Sequence, residues 1–361
     1  MKIKKRLLHI DLLESIAIFF VILYHSTIYN YDIIKNNSLF NYFLYFGRAI
    51  LSTCVPLFFF TNGYLLFNKE FDLKKHIKKI IRLIILIIIW AFILIILYMK
   101  IEGEQLRIKT ILMSILTLDV KWSMNLFWFL GALISIYIIF PCLKKNYDFD
   151  KKSFVFFTIV CAFLSFGFVF GNQIILLIGT IIHHDIPSLN FPLLTIFNPF
   201  RGSYGYSFVY FCIGGLMYEY ESKILTISKI KRNIVSIIGI MVCTTLLFFL
   251  GVFYTKKING VIWDVVWNGY DSIFTFFNVI FIYVLCLNYN NNNYFIKNIS
   301  CNSLGIFFIH ELIIRLTQPW LKKQYYLCNL PFNVIYAFLI LVVCNIICLI
   351  LRKLPLLKKM I

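Results

Sequence analysis

Residues 6–26 read RLLHIDLLESIAIFFVILYHS, an apolar run that contains the ionisable side chains Asp11, Glu14 and His25. The run is long enough to cross a bilayer, which takes about 20 predominantly apolar residues. An ionisable side chain inside such a span costs roughly 2.5–3.5 kcal/mol, so each one needs a partner, a wet cavity or a function. Since helical residues advance by about 100°, all three share one face, and we expect that face to look into the protein.

The rest of the chain has the same apolar character. Of its 361 residues, 61% are apolar and only 14% are charged, against about 45–50% and about 25% in soluble domains. The sequence therefore predicts an all-α polytopic membrane bundle of about ten helices, with residues 1–361 forming a single transmembrane domain without an appended soluble domain. The predicted spans lie at about 9–29, 49–67, 82–99, 125–142, 153–171, 203–219, 233–253, 269–287, 303–317 and 332–351.

The basic residues are distributed unevenly between the loops. The net charge of +19 comes from 35 Lys and Arg against 16 Asp and Glu, and about two thirds of the cations lie in alternate loops. By the positive-inside rule, this bias places both termini in the cytoplasm. We therefore expect the cations to meet membrane lipid and no nucleic acid. The ten cysteines are scattered without a Cys/His cluster, which favours buried small hydrophobes over disulfides.

His25 is the first candidate for chemistry. An imidazole can exchange a proton near neutral pH, so a histidine that projects into a membrane cavity could act as general base for a hydroxyl nucleophile. A hydrogen-bonded structural histidine near the interface is an equally good interpretation of this position. Asp11 and Glu14 lie nearer the cytoplasmic entrance on the same face, and the sequence leaves the two interpretations of His25 open.

A basic stripe precedes the third span. Lys75, Lys78, Lys79 and Arg82 follow one another at i, i+3, i+4 and i+7, which places four cations on one side of a helix. Such a stripe could bind the phosphates of a nucleotide-type donor. The alternative, favoured by charge pattern alone, is an anchor that contacts anionic lipid.

Three further sites carry ionisable residues. His310 and Glu311 form a buried pair in the ninth span, and they could support a substrate hydroxyl or serve structure only. Arg48 could reach a cavity or extend to the headgroups. The segment His183, His184 and Asp185 lacks two further ligands, so we expect no metal there or elsewhere.

Together these residues resemble the pattern of a known protein family. The opening run resembles that of the membrane acyltransferase-3 family, whose first span carries an Asp, then an Arg, then a His eleven positions after the Arg. Further segments resemble the family in the same order along most of the chain. They are Val55–Leu66 in span two, the basic pair Lys79 and Arg82, the stretch from Phe127 and Trp128 through Tyr137 to Pro141, and Phe307–His310.

The resemblance implies a ten-span enzyme of the bacterial inner membrane. Such an enzyme takes an acyl group, often acetyl from acetyl-CoA although another acyl-CoA is compatible, and delivers it to a saccharide hydroxyl. The acceptors implied are O-antigen, capsule, exopolysaccharide or another envelope saccharide, including lipid-linked glycan. A homo-oligomer is compatible with this reading.

The resemblance also assigns roles by position. His25 takes the catalytic position, with Asp11 and Glu14 on its face and His310 in support. Lys79 and Arg82 take the donor-phosphate position, together with Lys75 and Lys78 of the same stripe. Arg48, Trp128 and Glu311 are expected to contact the substrate.

Two departures from the family pattern stand out. Glu14 stands where the family has Arg, which reverses the charge on the face that carries His25. If that Arg binds the donor, its role cannot be transferred to this chain. Lys79 replaces an Arg, which keeps the charge but loses the two-pronged guanidinium.

A transporter or flippase for a lipid-linked saccharide is the alternative function. It also predicts many spans, buried ions and aromatic side chains. It differs from the enzyme in that it requires no thioester. Composition fits both functions about equally, and the ordered motifs favour the enzyme.

Overall fold

The computed structural model of the chain describes residues 6–28, 32–101, 124–182, 204–258, 269–324 and 328–353, together with 103, 105, 107–109, 111 and 113. These residues form helices and no strands, which confirms the predicted all-α fold. The helices are α1 (Leu8–His25), α2 (Leu39–Ala49), α3 (Cys54–Phe67), α4 (Leu73–Ile101), α5 (Met124–Phe149), α6 (Lys151–Ala162), α7 (Phe168–Ile181), α8 (Gly205–Thr226), α9 (Lys229–Ile258), α10 (Ile273–Cys286), α11 (Tyr294–Lys322) and α12 (Leu330–Leu351).

Eight described segments are long and apolar enough to cross a membrane. Two of them combine helices: a 3-10 turn at Ile50–Thr53 joins α2 to α3, and a π-helical turn at Phe163–Gly167 joins α6 to α7. The two remaining predicted spans are also helical. Of these, α10 is only 14 residues long, and the last turns of α8 carry Glu219, Glu221 and Lys223.

Several helices extend about ten residues beyond the predicted spans: α2 begins at Leu39, α4 at Leu73 and α11 at Tyr294, against predicted starts at 49, 82 and 303. The fifth span was expected to end near residue 171, but α7 continues to Ile181. Asn172 and Gln173 resemble the start of a polar loop, whereas the apolar residues that follow them extend the helix. A pair of polar side chains does not end a helix whose backbone hydrogen bonds can continue through it.

Side-chain caps begin several helices where the sequence offers Ser, Asp or Asn. Ser38 accepts from the backbone N–H of residue 41 at the start of α2, and Asp150 accepts from that of Ser153 at the start of α6. Asn293 and Asn329 cap α11 and α12 in the same way. Each cap contributes about 1 kcal/mol. The hydrogen bonds from Ser153 also hold the pKa of Asp150 below its ordinary value.

Helix α1 packs against α3, α11 and α12. It runs parallel to α11, because Ser15 near its start bonds the Ile296 carbonyl and Thr27 after its end accepts from Gln318. We call the end of the bundle where α1 begins the lysine-rich end, which carries Arg6, Lys79, Lys144, Lys151 and Lys297. The opposite end, with His25 and His310, is the histidine end.

Helices α3 and α8 make the closest contact in the bundle through glycine. A Cβ on Gly63 would lie 1.8 Å from the carbonyl oxygen of Phe211, and a Cβ on Gly214 would lie 2.1 Å from that of Phe60. Small residues that let two backbones approach are typical of packed membrane helices. The contact fixes α3, and with it the polar side chains that α3 presents to α1.

A methyl group at Gly214 should therefore separate α3 from α8. We expect Gly214→Ala to destabilise the purified protein by about 1–3 kcal/mol, the usual cost of overpacking, seen as a lower thermal unfolding temperature. Gly131→Ala is the matched control, because a Cβ there meets nothing within 4 Å. Equal unfolding temperatures for the two variants would contradict the close packing.

Candidate active site

The histidine end holds a compact group of ionisable side chains, the histidine cluster, formed by His25, His310 and Glu311. His25 Nδ1 lies 3.7 Å from Glu311 Oε2, and the His25 ring meets the His310 ring edge to face at 5.4 Å between centroids. The His25 ring thus faces α11 and not the lipid. Its side chain keeps 28% of its surface exposed, so it is the accessible member of the cluster.

Glu311 lies at ion-pair distance from His25 and is itself held in place. Its second oxygen, Oε1, accepts from Arg315 Nε at 2.7 Å, one turn further along α11. A carboxylate on the Nδ1 side of an imidazole favours the tautomer with a proton on Nδ1 and leaves the opposite nitrogen, Nε2, as the base. The arrangement is therefore suited to proton transfer at His25 Nε2.

His310 is completely buried, and its tautomer follows from one contact. Its Nδ1 lies 3.2 Å from the carbonyl oxygen of Ile306, and because a carbonyl only accepts, Nδ1 carries the proton. Nε2 therefore presents a lone pair. Within the part of the chain that the structure describes, that atom has no hydrogen-bond partner. A buried acceptor without a donor is costly, which suits it to receive a hydrogen bond from a substrate.

Arg48 lies beside the cluster, and only 2% of its surface is exposed. Its guanidinium donates to the Thr27 hydroxyl and to the Tyr24 carbonyl, and it lies 5.5 Å from the centre of the Tyr24 ring. These are the residues that flank His25 on the chain. Of the two interpretations of Arg48, extension to the headgroups is wrong, because the side chain turns inward.

The cluster also satisfies the distances of a loose metal site. His25, His310 and Glu311 each offer one ligand atom, and the three atoms lie within 4.8 Å of one another. Two guanidinium groups lie close by, however: Arg315 holds Glu311, and Arg48 holds the residues beside His25. Positive neighbours oppose a divalent cation, so proton transfer suits the cluster better than metal binding.

Aromatic side chains gather at the same end of the bundle. Trp128 stacks on Tyr204 at 4.8 Å and on Tyr270 at 6.0 Å, with angles of 14° and 26° between the rings. Tyr270 also contacts Tyr206 and places its hydroxyl 3.9 Å from Cys54 Sγ. Flat stacked rings offer an apolar face with polar edges.

The lysine-rich end contains a cavity of about 680 Å³, which we call the lysine cavity. Two residues of the predicted basic stripe, Lys75 and Lys79, line it. Lys78 and Arg82 do not, because Lys78 lies to one side of the lining face and Arg82 lies nearly a turn beyond it. The complete lining is Leu66, Lys69, Glu70, Phe71, Asp72, Lys75, His76, Lys79 and Phe140.

Sequence reasoning missed two basic members of this lining, Lys69 and His76. His76 lies on a different side of α4 from the stripe, and Lys69 precedes the helix. The i, i+3, i+4 spacing therefore could not identify either residue. Asp72 adds a negative charge at the rim. The backbone N–H and the ammonium group of Lys75 hold the pKa of Asp72 below its ordinary value, so this carboxylate stays ionised at neutral pH.

Lys79 is held by a relay of side chains. Its Nζ donates to the Tyr137 hydroxyl at 2.9 Å, and that hydroxyl donates to Asn62 Oδ1 at 2.8 Å. Asn62 and Tyr137 belong to the segments that resemble the family, but nothing in the sequence paired them. The relay connects α4 to α5 and α3 and fixes the direction of the ammonium group.

Asp11 and Glu14 lie at the lysine-rich end, eleven residues or more before His25, which is about 16 Å or more along the helix. They are therefore too far from His25 to act on the same atoms, and a catalytic role for them stays a prediction. Asp11 pairs with Arg6, whose Nε and NH2 lie 2.5 and 2.8 Å from its oxygens. Ser300 on α11 bonds Asp11 at 2.8 Å and Glu14 at 2.7 Å.

The family pattern has its Arg at position 14, on the inward face of α1. In this chain Arg6 brings a guanidinium to the lysine-rich end of that face. It lies against Asp11 and the carbonyl of Lys297, and its pKa is raised by the hydrogen bond to Asp11. Glu14 thus accepts a hydrogen bond from Ser300 beside the Arg6–Asp11 ion pair. His183, His184 and Asp185 lie outside the described residues.

The comparisons with known proteins agree with this architecture. A helical membrane bundle with one group of ionisable side chains at each end is the class that the fold and the site define. A family model described as an acyltransferase domain, acyltransferase family 3, matches residues 7–352. The chain belongs to this family of membrane acyltransferases. No curated protein and no solved structure matches the chain.

If Glu311 orients His25, then Glu311→Gln should impair acyl transfer without unfolding the protein. A Gln amide that faces Nδ1 would favour the tautomer with the proton on Nε2, which cannot act as a base. Because general-base catalysis raises a rate by about 10²–10⁴, we expect the rate of acyl transfer to fall by about 10²-fold or more. Labelled acyl transfer in membranes measures it. Arg315→Gln is the control, because it keeps the carboxylate and should cost less; equal activity of Glu311→Gln and wild type would exclude the orienting role.

Proposed function

We propose that the protein transfers an acyl group, most simply acetyl, from a cytoplasmic CoA thioester to a hydroxyl of a cell-envelope saccharide in the bacterial cytoplasmic membrane. The observation that supports this most is the position of the His25–Glu311 pair, which α1 and α11 hold at the end opposite the lysine cavity. In this proposal the lysine-rich end and both termini face the cytoplasm, in line with the positive-inside bias.

The lysine cavity is suited to the donor. Lys69, Lys75 and Lys79 surround it with ammonium groups, and charge-assisted hydrogen bonds to phosphate are the strongest that side chains offer. Asp72 and the neighbouring Glu70 carry the opposite charge at the rim, which favours a ligand that enters along the Lys79 side. The Tyr137 and Asn62 relay orients Lys79 before the ligand arrives, so less side-chain entropy is lost on binding.

His25 would act as the general base. Nε2 takes the proton from the acceptor hydroxyl, the oxygen attacks the acyl carbonyl, and the carbon–sulfur bond breaks. The proton on His25 then passes to the leaving thiolate, so the base is restored and all charges balance. Arg48, fixed beside His25 through Thr27 and Tyr24, would stabilise the negative charge on the carbonyl oxygen.

The acceptor would lie at the histidine end. The stack of Trp128, Tyr204 and Tyr270 offers faces on which a sugar ring can pack, and the lone pair of His310 Nε2 can accept from a second hydroxyl. These are the supporting roles expected for His310 and Trp128. Membership of an acyltransferase family favours this enzyme over a transporter of the same saccharide.

Donor binding can be measured without knowledge of the acceptor. CoA at about 100 times its dissociation constant should stabilise the purified protein by about 2.7 kcal/mol, seen in thermal unfolding. Lys79→Ala should weaken CoA binding about tenfold or more, because a charged hydrogen bond contributes about 1.5–3 kcal/mol. Lys78→Ala, one residue away and outside the lining, should bind like wild type; an unchanged response in Lys79→Ala would contradict the donor site.

The reaction itself can be read from the cell envelope. Mass spectrometry should find an acyl mass on the envelope glycan of wild-type cells that is lost in a deletion strain. Complementation with His25→Ala should leave the glycan unmodified, since loss of a general base lowers the rate about 10²–10⁴-fold. Gly131→Ala, where the added Cβ meets nothing within 4 Å, should restore it. A fully modified glycan with His25→Ala would refute the assignment of the base.

A further inference from the structure

Aromatic side chains form part of the wall of the lysine cavity. The rings of Phe71 and His76 lie 5.4 Å apart between centroids, and each meets the ring of Phe140, at 5.7 and 5.3 Å. All three residues line the cavity. Phe71 keeps 37% of its surface exposed, whereas Phe140 and His76 are buried. The wall therefore offers the cavity one accessible aromatic side chain, backed by two buried rings.

His76 adds a hydrogen-bond acceptor to this wall. Its Nε2 lies 2.7 Å from the backbone carbonyl oxygen of Tyr137, and because a carbonyl only accepts, Nε2 carries a proton. In the neutral ring, Nδ1 then presents a lone pair. Among the described residues no group donates to Nδ1, and it is not one of their fully buried unpaired atoms. Nδ1 is therefore open to a donor that enters the cavity.

Charge in the cavity is arranged by depth. Asp72 and the neighbouring Glu70 carry negative charge at the rim, where Asp72 also pairs with Lys75 at 3.0 Å. Lys79 comes seven residues after Asp72, or about 10 Å further along α4, and the relay described above fixes its ammonium group. The rim carboxylates repel an anion and leave a neutral group unaffected. A ligand with a neutral flat end near Phe71 and an anionic part near Lys79 therefore fits the cavity best.

A nucleotide whose base carries an exocyclic amino group combines these features. Its base can stack on an accessible aromatic side chain, its amino group can donate to an imidazole lone pair, and its phosphates can accept from lysine. The position of the base amino group separates 6-aminopurines from 6-oxopurines, which carry an acceptor there. An acceptor at that position would face the lone pair of His76 Nδ1 and be disfavoured.

We propose that the lysine cavity binds a 6-aminopurine nucleotide, with the base on Phe71, the exocyclic amino group donating to His76 Nδ1, and the phosphates beside Lys69 and Lys79. This inference rests on the function proposed above, because the CoA donor carries such a nucleotide. It adds where the base lies and which group distinguishes it from other bases. The order of base, phosphates and acyl arm then follows α4 from the rim inward, in the direction of the histidine end.

Two ligands that differ in one group test this inference: CoA, and the CoA analogue in which hydrogen replaces the 6-amino group of the base. Calorimetric titration of the purified full-length protein, at about pH 8 where an ordinary imidazole is neutral, measures their binding. We expect CoA to bind about tenfold more tightly, because the analogue leaves His76 Nδ1 without a donor. Equal binding of the two would overturn this inference and leave the donor proposal standing. Absence of CoA binding would refute the donor proposal and this inference with it.

Variants separate recognition of the base from recognition of the phosphates. His76→Leu removes the acceptor, so it should bind CoA and the analogue equally. Phe71→Ala should weaken both ligands about tenfold, because it removes the side chain on which the base stacks. Phe149→Ala is the matched control, 84% exposed and outside the lining, and it should bind both ligands like wild type. Lys79→Ala should weaken both and keep the preference for CoA.

Two results with these variants would contradict the proposed contacts. A preference for CoA that survives His76→Leu would show that His76 does not bind the amino group. Equal affinities of Phe71→Ala and Phe149→Ala for CoA would show that the base does not stack on Phe71. The comparison of the two ligands on the wild-type protein needs neither variant, so it remains decisive if His76→Leu fails to fold.

Discussion

The parallel pairing of α1 with α11 determines the positions of two groups of ionisable side chains. One is the histidine cluster, and the other is formed by Arg6, Asp11 and Glu14 at the lysine-rich end. Glu14 meets Ser300 at one end, and His25 meets Glu311 at the other. Glu14 and His25 are eleven positions apart on α1, and Ser300 and Glu311 are eleven positions apart on α11. Both spacings correspond to about 16 Å, or three helical turns. A slip of one residue would rotate the side chains by about 100° and break both contacts, so one register sets the two clusters together.

This register also explains how the chain tolerates its buried charges. A lone ion in a span is costly, yet two of these carboxylates have a cation beside them, Arg6 for Asp11 and Arg315 for Glu311. Glu14 accepts a hydrogen bond from Ser300. Between the clusters the bundle is filled with apolar side chains. Trp90 stacks on Phe308 at 4.9 Å, and Phe129 meets Phe307 at 5.5 Å. A donor arm that extends from the lysine cavity to His25 therefore has to pass among packed aromatic rings.

Periodicity in the sequence identifies the helices and the face of α1 that points inward, because burial of apolar residues is a local property of each helix. It also finds His25, Lys79 and His310. It does not find Ser300, Arg315 or the Tyr137–Asn62 relay as partners, since pairing between helices depends on the packing of the whole bundle. The stripe of Lys75, Lys78, Lys79 and Arg82 shows the limit: four cations share a helix, but only two line the cavity.

In the proposed reaction the acyl group passes from one face of the membrane to the other. Sealed proteoliposomes in which the lysine-rich end faces outward measure it directly, with labelled acyl-CoA added outside and an envelope glycan extract enclosed. We expect label on the enclosed glycan in intact vesicles with wild-type protein and none with His25→Ala. Label that appears only when the glycan is added on the same side as the acyl-CoA would contradict it.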